Sequence, residues 1–303
     1  MTDERGGRSI ERWVGLATAI VAPVTVLSAL LFYFGYVSTR ATYEYFGIDV
    51  DAVGLSTQDY LMRSPRPLLT PFIGLLLLGI LALWLHVNVR GLVAAGGRRR
   101  SRVRVAARWT RVAGVVILVT GILLVLVYPR FENRAVLDLL IPLCLAVGIV
   151  LLAYGSHVTT MSDARANPNA GDTNGPSWRP SRAVASVLVI AVVTANVFWA
   201  TATLAQWSGR GQAVDLSRRL DSLPSVILDT KERLYVRDPV IDEAVLPSED
   251  GQEFRYRYRQ LRLLVHGSDR MFLVPAEWSP SGTTLLVPLN ENVRVRFQFQ
   301  NPG

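Results

Sequence analysis

Five long apolar runs, and a final stretch in which apolar and polar residues alternate, organise this chain of 303 residues. Trp13 to Tyr36 runs for 24 residues without a charge. At about 1.5 Å per residue it is longer than the roughly 30 Å hydrocarbon core of a bilayer, so it predicts a tilted span. A signal peptide has an apolar region of only about 7–15 residues, and this run is longer and ends on aromatics (Phe32, Tyr33, Phe34, Tyr36), so it reads as an uncleaved first span. Gly15 and Ala19 make a small-xxx-small pair that lets a neighbouring helix approach, or a coincidence in an Ala-rich helix. Leu68 to Val89, Val112 to Tyr128, Ala135 to Tyr154 and Ala183 to Trp207 are the other four spans. Only Pro129 to Arg134 separates the third from the fourth, which forces a tight antiparallel hairpin. Asp138 follows Arg134 by four residues and faces it on a helix; an ion pair at the outer interface is the expectation, a proton or ion site the alternative.

Beyond residue 207 the period changes. Val214, Leu216, Leu220 and Leu223 predict a short amphipathic helix that Pro224 ends. Val293, Val295, Phe297 and Phe299 then alternate with Arg294, Arg296, Gln298 and Gln300, the pattern of a half-buried strand. Phe254, Tyr256 and Tyr258 lie on one parity and Leu261, Leu263 and Val265 on the other, so an extra residue near Gln260 keeps both sets on one face and predicts a β-bulge. His266 to Arg270 reads as a hairpin loop into Met271 to Val274. With Val226 to Leu228, Leu234 to Val236 and Thr284 to Val287, about six short strands are expected.

The connectors set the topology. Arg90 to Arg111 carries eight arginines (Arg90, Arg98, Arg99, Arg100, Arg102, Arg104, Arg108 and Arg111) and no acid, and such a loop stays on the cytoplasmic side. The N-terminus and the second and fourth connectors together hold 14 arginines, the first and third hold five, so the N-terminus is expected inside and the C-terminus outside. The first connector, 37–67, is long and carries Tyr43, Tyr45, Phe46, Tyr60, Leu61 and Met62, which predicts a segment lying on the membrane interface. Ser56 and Asp59 fit a capping box that starts a short helix, with Pro65 and Pro67 as its stop.

The fold class expected is therefore a membrane all-α part of five transmembrane helices followed by a small extracytoplasmic antiparallel β domain, α+β overall. Its divisions are a cytoplasmic N-terminus (1–12), a four-helix block (13–155), a disordered cytoplasmic linker (156–182), a fifth helix (183–207) and the β domain (208–303). A mean hydropathy of +0.29 and 50% hydrophobic residues agree with a membrane protein. The arginine excess over lysine, with Lys231 the single lysine, points to a high-GC bacterium. Residues 1–206 hold 19 basic and 11 acidic groups while 207–303 hold 13 of each, so the net charge of +8 reports topology and argues against nucleic acid as a partner. Cys144 is the single cysteine, which excludes an internal disulfide; the β domain then rests on its own core and on docking to the outer loop.

Candidate chemistry is sparse. Asp49 and Asp51 form a D-x-D in the first outer loop, where membrane glycosyltransferases that use lipid-linked donors place acids near a metal. Two carboxylates supply few of the roughly 6–8 oxygens that Ca²⁺ takes, five spans are fewer than that family has, and a solvated pair is the default. Arg255, Arg257 and Arg259, with Arg262, Arg294 and Arg296, form a ladder that faces anionic headgroups or wall polymers, or is the solvated side of a sheet. Thr194 with Thr201, and Asn196 with Thr203, recur at seven residues in the fifth span and line a polar path or bond between helices. His86, His157 and His266 lie on separate segments and are not expected to hold a metal. No phosphate-binding glycine loop, nucleophile elbow or cofactor motif appears.

Tyr45-Phe46-Gly47-Ile48, Ser56 to Ser64 (STQDYLMRS) and Tyr256 to Leu264 (YRYRQLRLL) resemble a type of polytopic actinomycete membrane protein without an assigned function. The resemblance implies a bacterial plasma-membrane location and brings no catalytic residue. The leading expectation is a non-catalytic accessory or sensing subunit whose outer domain, with the 37–67 loop, contacts a partner or envelope ligand. The alternatives are a homo-oligomeric channel or transporter and, third, a sugar- or lipid-modifying enzyme using Asp49 and Asp51. Expected partners are the lipid bilayer and either another membrane protein or further copies of this chain.

Overall fold

The computed structural model describes residues 4–94, 97–130, 135–166, 182–247, 251–279 and 281–298. It is mostly helical with a C-terminal antiparallel sheet, and five of its helices are long and apolar enough to cross a membrane. Two compact units are present, one of residues 68–204 and one of residues 1–67 with 205–303.

The first unit is built on α4 (Pro65–Ala94), α5 (Gly97–Val127), α6 (Ala135–Ala166) and the larger part of α7 (Arg182–Ser217). α5 and α6 form the expected antiparallel hairpin, and glycine sets their separation. Gly114 and Gly121 on α5, and Gly148 and Gly155 on α6, recur at seven residues and so line one face of each helix. A Cβ added at Gly114 would lie 2.7 Å from the Leu152 backbone nitrogen, and one at Gly148 would lie 2.8 Å from that of Leu118. Where lipid is as apolar as the side chains, such close backbone packing replaces the hydrophobic effect as the force between helices. The packing of Gly15 and Ala19 lies outside the described side chains.

The helices outrun the apolar runs that mark them. α4 continues to Ala94 and α5 begins at Gly97, so the arginine-rich stretch is a pair of helix ends rather than a loop; Ala95 and Gly96 lie outside the described residues. α6 likewise extends to Ala166 into the expected linker, of which 167–181 lie outside the described residues. Arginine and alanine are good helix formers, and hydropathy marks where apolar side chains stop, not where the hydrogen-bond ladder stops. Arg134 also lies outside the described residues, and the partner seen for Asp138 is the Tyr128 hydroxyl, which donates to it at 2.6 Å.

The second unit begins with α1 (Glu4–Tyr45), α2 (Val50–Val53) and α3 (Thr57–Arg63). Gly47 and Gly54 take left-handed φ values of 72° and 71°, turning the chain out of α1 and out of α2. The expected capping box is present: the Ser56 hydroxyl accepts from Asp59 N and the Asp59 carboxylate accepts from Ser56 N at 2.8 Å. That hydroxyl and amide hold the Asp59 carboxyl below its ordinary range. Ser56→Ala is expected to cost about 0.5–2 kcal/mol, read as faster amide exchange in residues 57–63. This helix ends at Arg63 with Ser64 as its C-cap, just before Pro65 as expected, and Pro65 has a second part. It opens α4, where a missing N–H costs nothing and φ is already helical.

The sheet comprises β1 (Ser225–Thr230), β2 (Asp242–Val245), β3 (Tyr256–His266), β4 (Arg270–Pro275), β5 (Leu285–Pro288) and β6 (Val293–Gln298), all antiparallel. Its order is β5-β4-β3-β1-β6, with β2 also paired to β3. The expected bulge is found: Val226 pairs with Leu261 and Leu228 with Tyr258, so Arg259 and Gln260 both oppose Ile227, and Gln260 has φ 60°. Tyr258 and Leu261 thereby reach one face. A second shift between Leu263 and Val265 inserts Leu264 and was not expected; it sends Val265 to the opposite face. Leu234 to Val236 is not a strand. Tyr235 is left-handed (φ 52°) and the Leu234 amide donates to the buried Tyr258 hydroxyl at 2.8 Å, so neither joins a ladder. The strand falls instead at β2, whose charged residues conceal it from a hydrophobic pattern. The short helix expected after the fifth span is the continuation of α7 to Ser217, followed by one 3₁₀ turn at Leu220–Ser222.

The bulges divide the domain between two cores. One face of the sheet buries Val226, Leu228, Tyr258, Leu261, Leu273 and Val287 under Ile241. The other presents Val265, Phe272 and Val274 to Tyr43, Phe46, Ile48, Val50, Val53 and Tyr60, with Ala213 near the end of α7 and Leu220 from the 3₁₀ turn after it. Tyr43, Phe46, Ile48, Val50, Val53 and Tyr60 of the 37–67 segment are thus spent on this core, while Tyr45 and Met62 stay exposed. The approach is close: a Cβ at Gly267, in the β3–β4 hairpin, would lie 2.6 Å from the Val53 carbonyl oxygen.

Candidate functional site

The densest charged constellation among the described residues is on the sheet face bearing Asp229. In β1, Val226 and Leu228 point into a core and Asp229 takes the opposite parity. Its register partners are Arg257 on β3 and Arg294 on β6, and Arg296 is two residues further along β6. Antiparallel pairing puts such residues on one face, side by side. Arg257 Nε donates to Asp229 Oδ1 at 2.8 Å, while Arg294 Nη2 and Arg296 Nη2 donate to Oδ2 at 2.8 Å and 3.0 Å. The carboxylate is fully buried, at 0%, whereas the Arg294 and Arg296 side chains are 47% and 45% exposed.

Burial alone would raise the Asp229 carboxyl. The hydrogen bonds from Arg257 and Arg294 and the charges of Arg257 and Arg296 outweigh it, and its pKa is lowered. The same bond raises Arg257. At neutral pH the group is therefore one carboxylate beneath three guanidinium ions, a local excess of two positive charges, and it has no proton to exchange in acid–base chemistry. Phe254 extends the basic surface: the Arg294 guanidinium lies 4.7 Å and the Lys231 ammonium 6.0 Å from its ring centroid, and Lys231 pairs with Glu253 at 2.8 Å.

Of the arginine ladder, then, Arg257, Arg294 and Arg296 converge. Arg255 and Arg259 stay exposed, and Arg262 turns to the Leu223 carbonyl at 3.4 Å, its Nε buried without a partner among the described residues. Asp229 was not singled out in the sequence. It falls one residue past the expected strand 226–228, and its place opposite Arg294 follows from the register of β1 with β6, which alternation does not set.

The other candidates take structural positions. Asp49 caps α2 by accepting from Asp51 N at 3.2 Å, and Asp51 accepts from the Tyr36 hydroxyl at 3.3 Å; both are exposed. No group of three His, Cys, Asp or Glu that could hold a metal occurs among the described residues. His86 and His157, which the sequence keeps apart, come together with ring centroids 6.3 Å apart, and Tyr154 lies 3.4 Å from His86 Nδ1; helices α4 and α6 bring them there. His266 is in the other unit. On α7, Asn196 Nδ2 and the Thr201 hydroxyl each donate at 2.8 Å to the carbonyl four residues back, and Thr203 donates to Trp199 and to Asp138 of α6, both at 3.2 Å. Thr194 is exposed. The chain matches no protein-family model, no curated protein and no solved structure.

Proposed function

We propose that this chain is a non-catalytic, multi-pass plasma-membrane protein, an accessory or sensing subunit with its N-terminus in the cytoplasm. It presents the sheet domain outside the cell to a partner or an envelope ligand. One observation carries this reading: the ends of α1 and α7, the 37–67 segment and the sheet share a single apolar core. A domain held on a flexible tether reports nothing to the membrane. A sheet packed on the ends of two candidate spans moves with them, so whatever binds the sheet acts on those helices. The Asp229 cluster, with its surplus of positive charge on an exposed face, supports an anionic or acid-rich ligand.

The test is the mass and composition of the complex extracted from native membranes in mild detergent. A stoichiometric second protein is the expected result. A closed ring of this chain alone would overturn the accessory role and favour a homo-oligomeric channel, to be followed by ion flux with Asn196 substituted.

A further inference from the structure

Thr42, Arg66, Gln212, Asp215, Leu216, Arg219 and Ser222 line a second polar feature of the same unit, a pocket of about 320 Å³. That is roughly ten waters' worth of liquid volume. Five of the seven lining residues come from the ends of three candidate spans, and Arg219 and Ser222 follow the fifth, at the 3₁₀ turn. Thr42 is three residues before the end of the first (Tyr45), Arg66 follows the start of the second (Pro65), and Gln212 to Leu216 precede the end of the fifth (Ser217). If those spans lie in a bilayer, the pocket opens at the depth of the headgroups.

Two guanidinium groups and one carboxylate line it, a surplus of one positive charge. Among the described residues neither Arg66 nor Arg219 makes an ion pair with Asp215, and neither side chain has another hydrogen-bond partner. Arg66 also stands in the first turn of the long helix α4, which has no acid there, although exposed amides already make a helix start positive. An anion in the pocket relieves both. A guanidinium offers planar paired donors that match phosphate oxygens. The Thr42 hydroxyl already donates to the Ser38 and Gly209 carbonyls and the Ser222 hydroxyl to the Arg219 carbonyl, while the Gln212 amide gives one N–H to Ser208 and keeps a second for the rest of a headgroup.

We propose that this pocket binds the phosphate of an anionic glycerophospholipid, with Arg66 and Arg219 as its ligands. The proposal rests on the membrane reading above, and its test separates the two. Full-length protein in zwitterionic detergent is titrated with phosphatidylglycerol or with phosphatidylcholine of the same acyl chains, and retained lipid is counted by native mass spectrometry. The wild type is expected to retain one phosphatidylglycerol in preference to phosphatidylcholine. Arg66→Gln and Arg219→Gln are each expected to weaken retention on the order of tenfold, the effect of one charge-assisted hydrogen bond. Arg66→Lys keeps the charge but not the paired donors and should retain more lipid than Arg66→Gln and less than the wild type, and Arg259→Gln, on the exposed side of the sheet, should change nothing.

No lipid preference in the wild type, or equal retention in the Arg66→Gln/Arg219→Gln double variant, would overturn the site. Displacement of the lipid by glycerol phosphate at equal concentration would keep the phosphate chemistry but overturn the headgroup as its source. Carbonate washing of membranes runs alongside. Release of the chain by carbonate would sink the membrane reading itself, while a retained chain without lipid preference sinks the pocket alone.

Discussion

Asp229→Asn is expected to destabilise the sheet domain by about 3 kcal/mol, the lower end of what removing one partner of a buried ion pair costs. The amide keeps the shape and loses the charge, so three guanidinium ions face one another across β1, β3 and β6 with nothing to neutralise them. The loss stays near that lower end because Arg294 and Arg296 are half exposed and water takes over part of their solvation. Hydrogen exchange at the β1, β3 and β6 amides reads the effect, with protection expected to drop on the order of a hundredfold. Unchanged protection would mean that the arginines are held by solvent alone. Adding Arg296→Gln to the variant should restore part of the stability, since it removes one of the repelling charges.

The same carboxylate gives the domain an acid limit. Its folded pKa is lowered, so its contribution is fully present above the unfolded value of about 3.9 and is lost as pH falls through the folded pKa. The wild type should therefore lose sheet protection below about pH 4, and the Asp229→Asn variant should show a smaller loss over the same range.

Phe272→Ala is expected to cost about 3–5 kcal/mol, the usual range for emptying a buried Phe site. Its consequence is local: Phe272 is on the face of β4 that meets Tyr43, Phe46, Val50 and Tyr60. Exchange should rise in residues 50–63 as well as in β4. Leu273→Ala opens a cavity on the other face, among Leu228, Tyr258 and Leu261, and should leave 50–63 protected. If both variants loosen the helices equally, the sheet and helices do not meet through this core and the coupling proposed for the domain fails.

Much of this architecture was legible as pattern. Hydrophobicity integrates over a whole span, so five runs of about twenty residues identify five helices whatever surrounds them. Local chemistry was also readable: the Ser56–Asp59 capping box needs only neighbours three residues apart, and the parity change at Gln260 records a bulge in the strand itself. Helix ends were not, because a backbone ladder continues through Arg90 and Gln212 as readily as through leucine.

Cross-strand and cross-segment partners form a different class. That Arg257, Arg294 and Arg296 share Asp229, that His86 meets His157, and that Phe46 and Phe272 enter one core depend on register and on a fold spanning more than two hundred residues. Alternation tells a strand which residues share a face but not which strand lies beside it. Tyr43, Phe46 and Tyr60 of the 37–67 segment could equally have met lipid, as the exposed Met62 still can. A sheet whose second bulge turns Val265 over supplied a better burial, and only packing could decide between them.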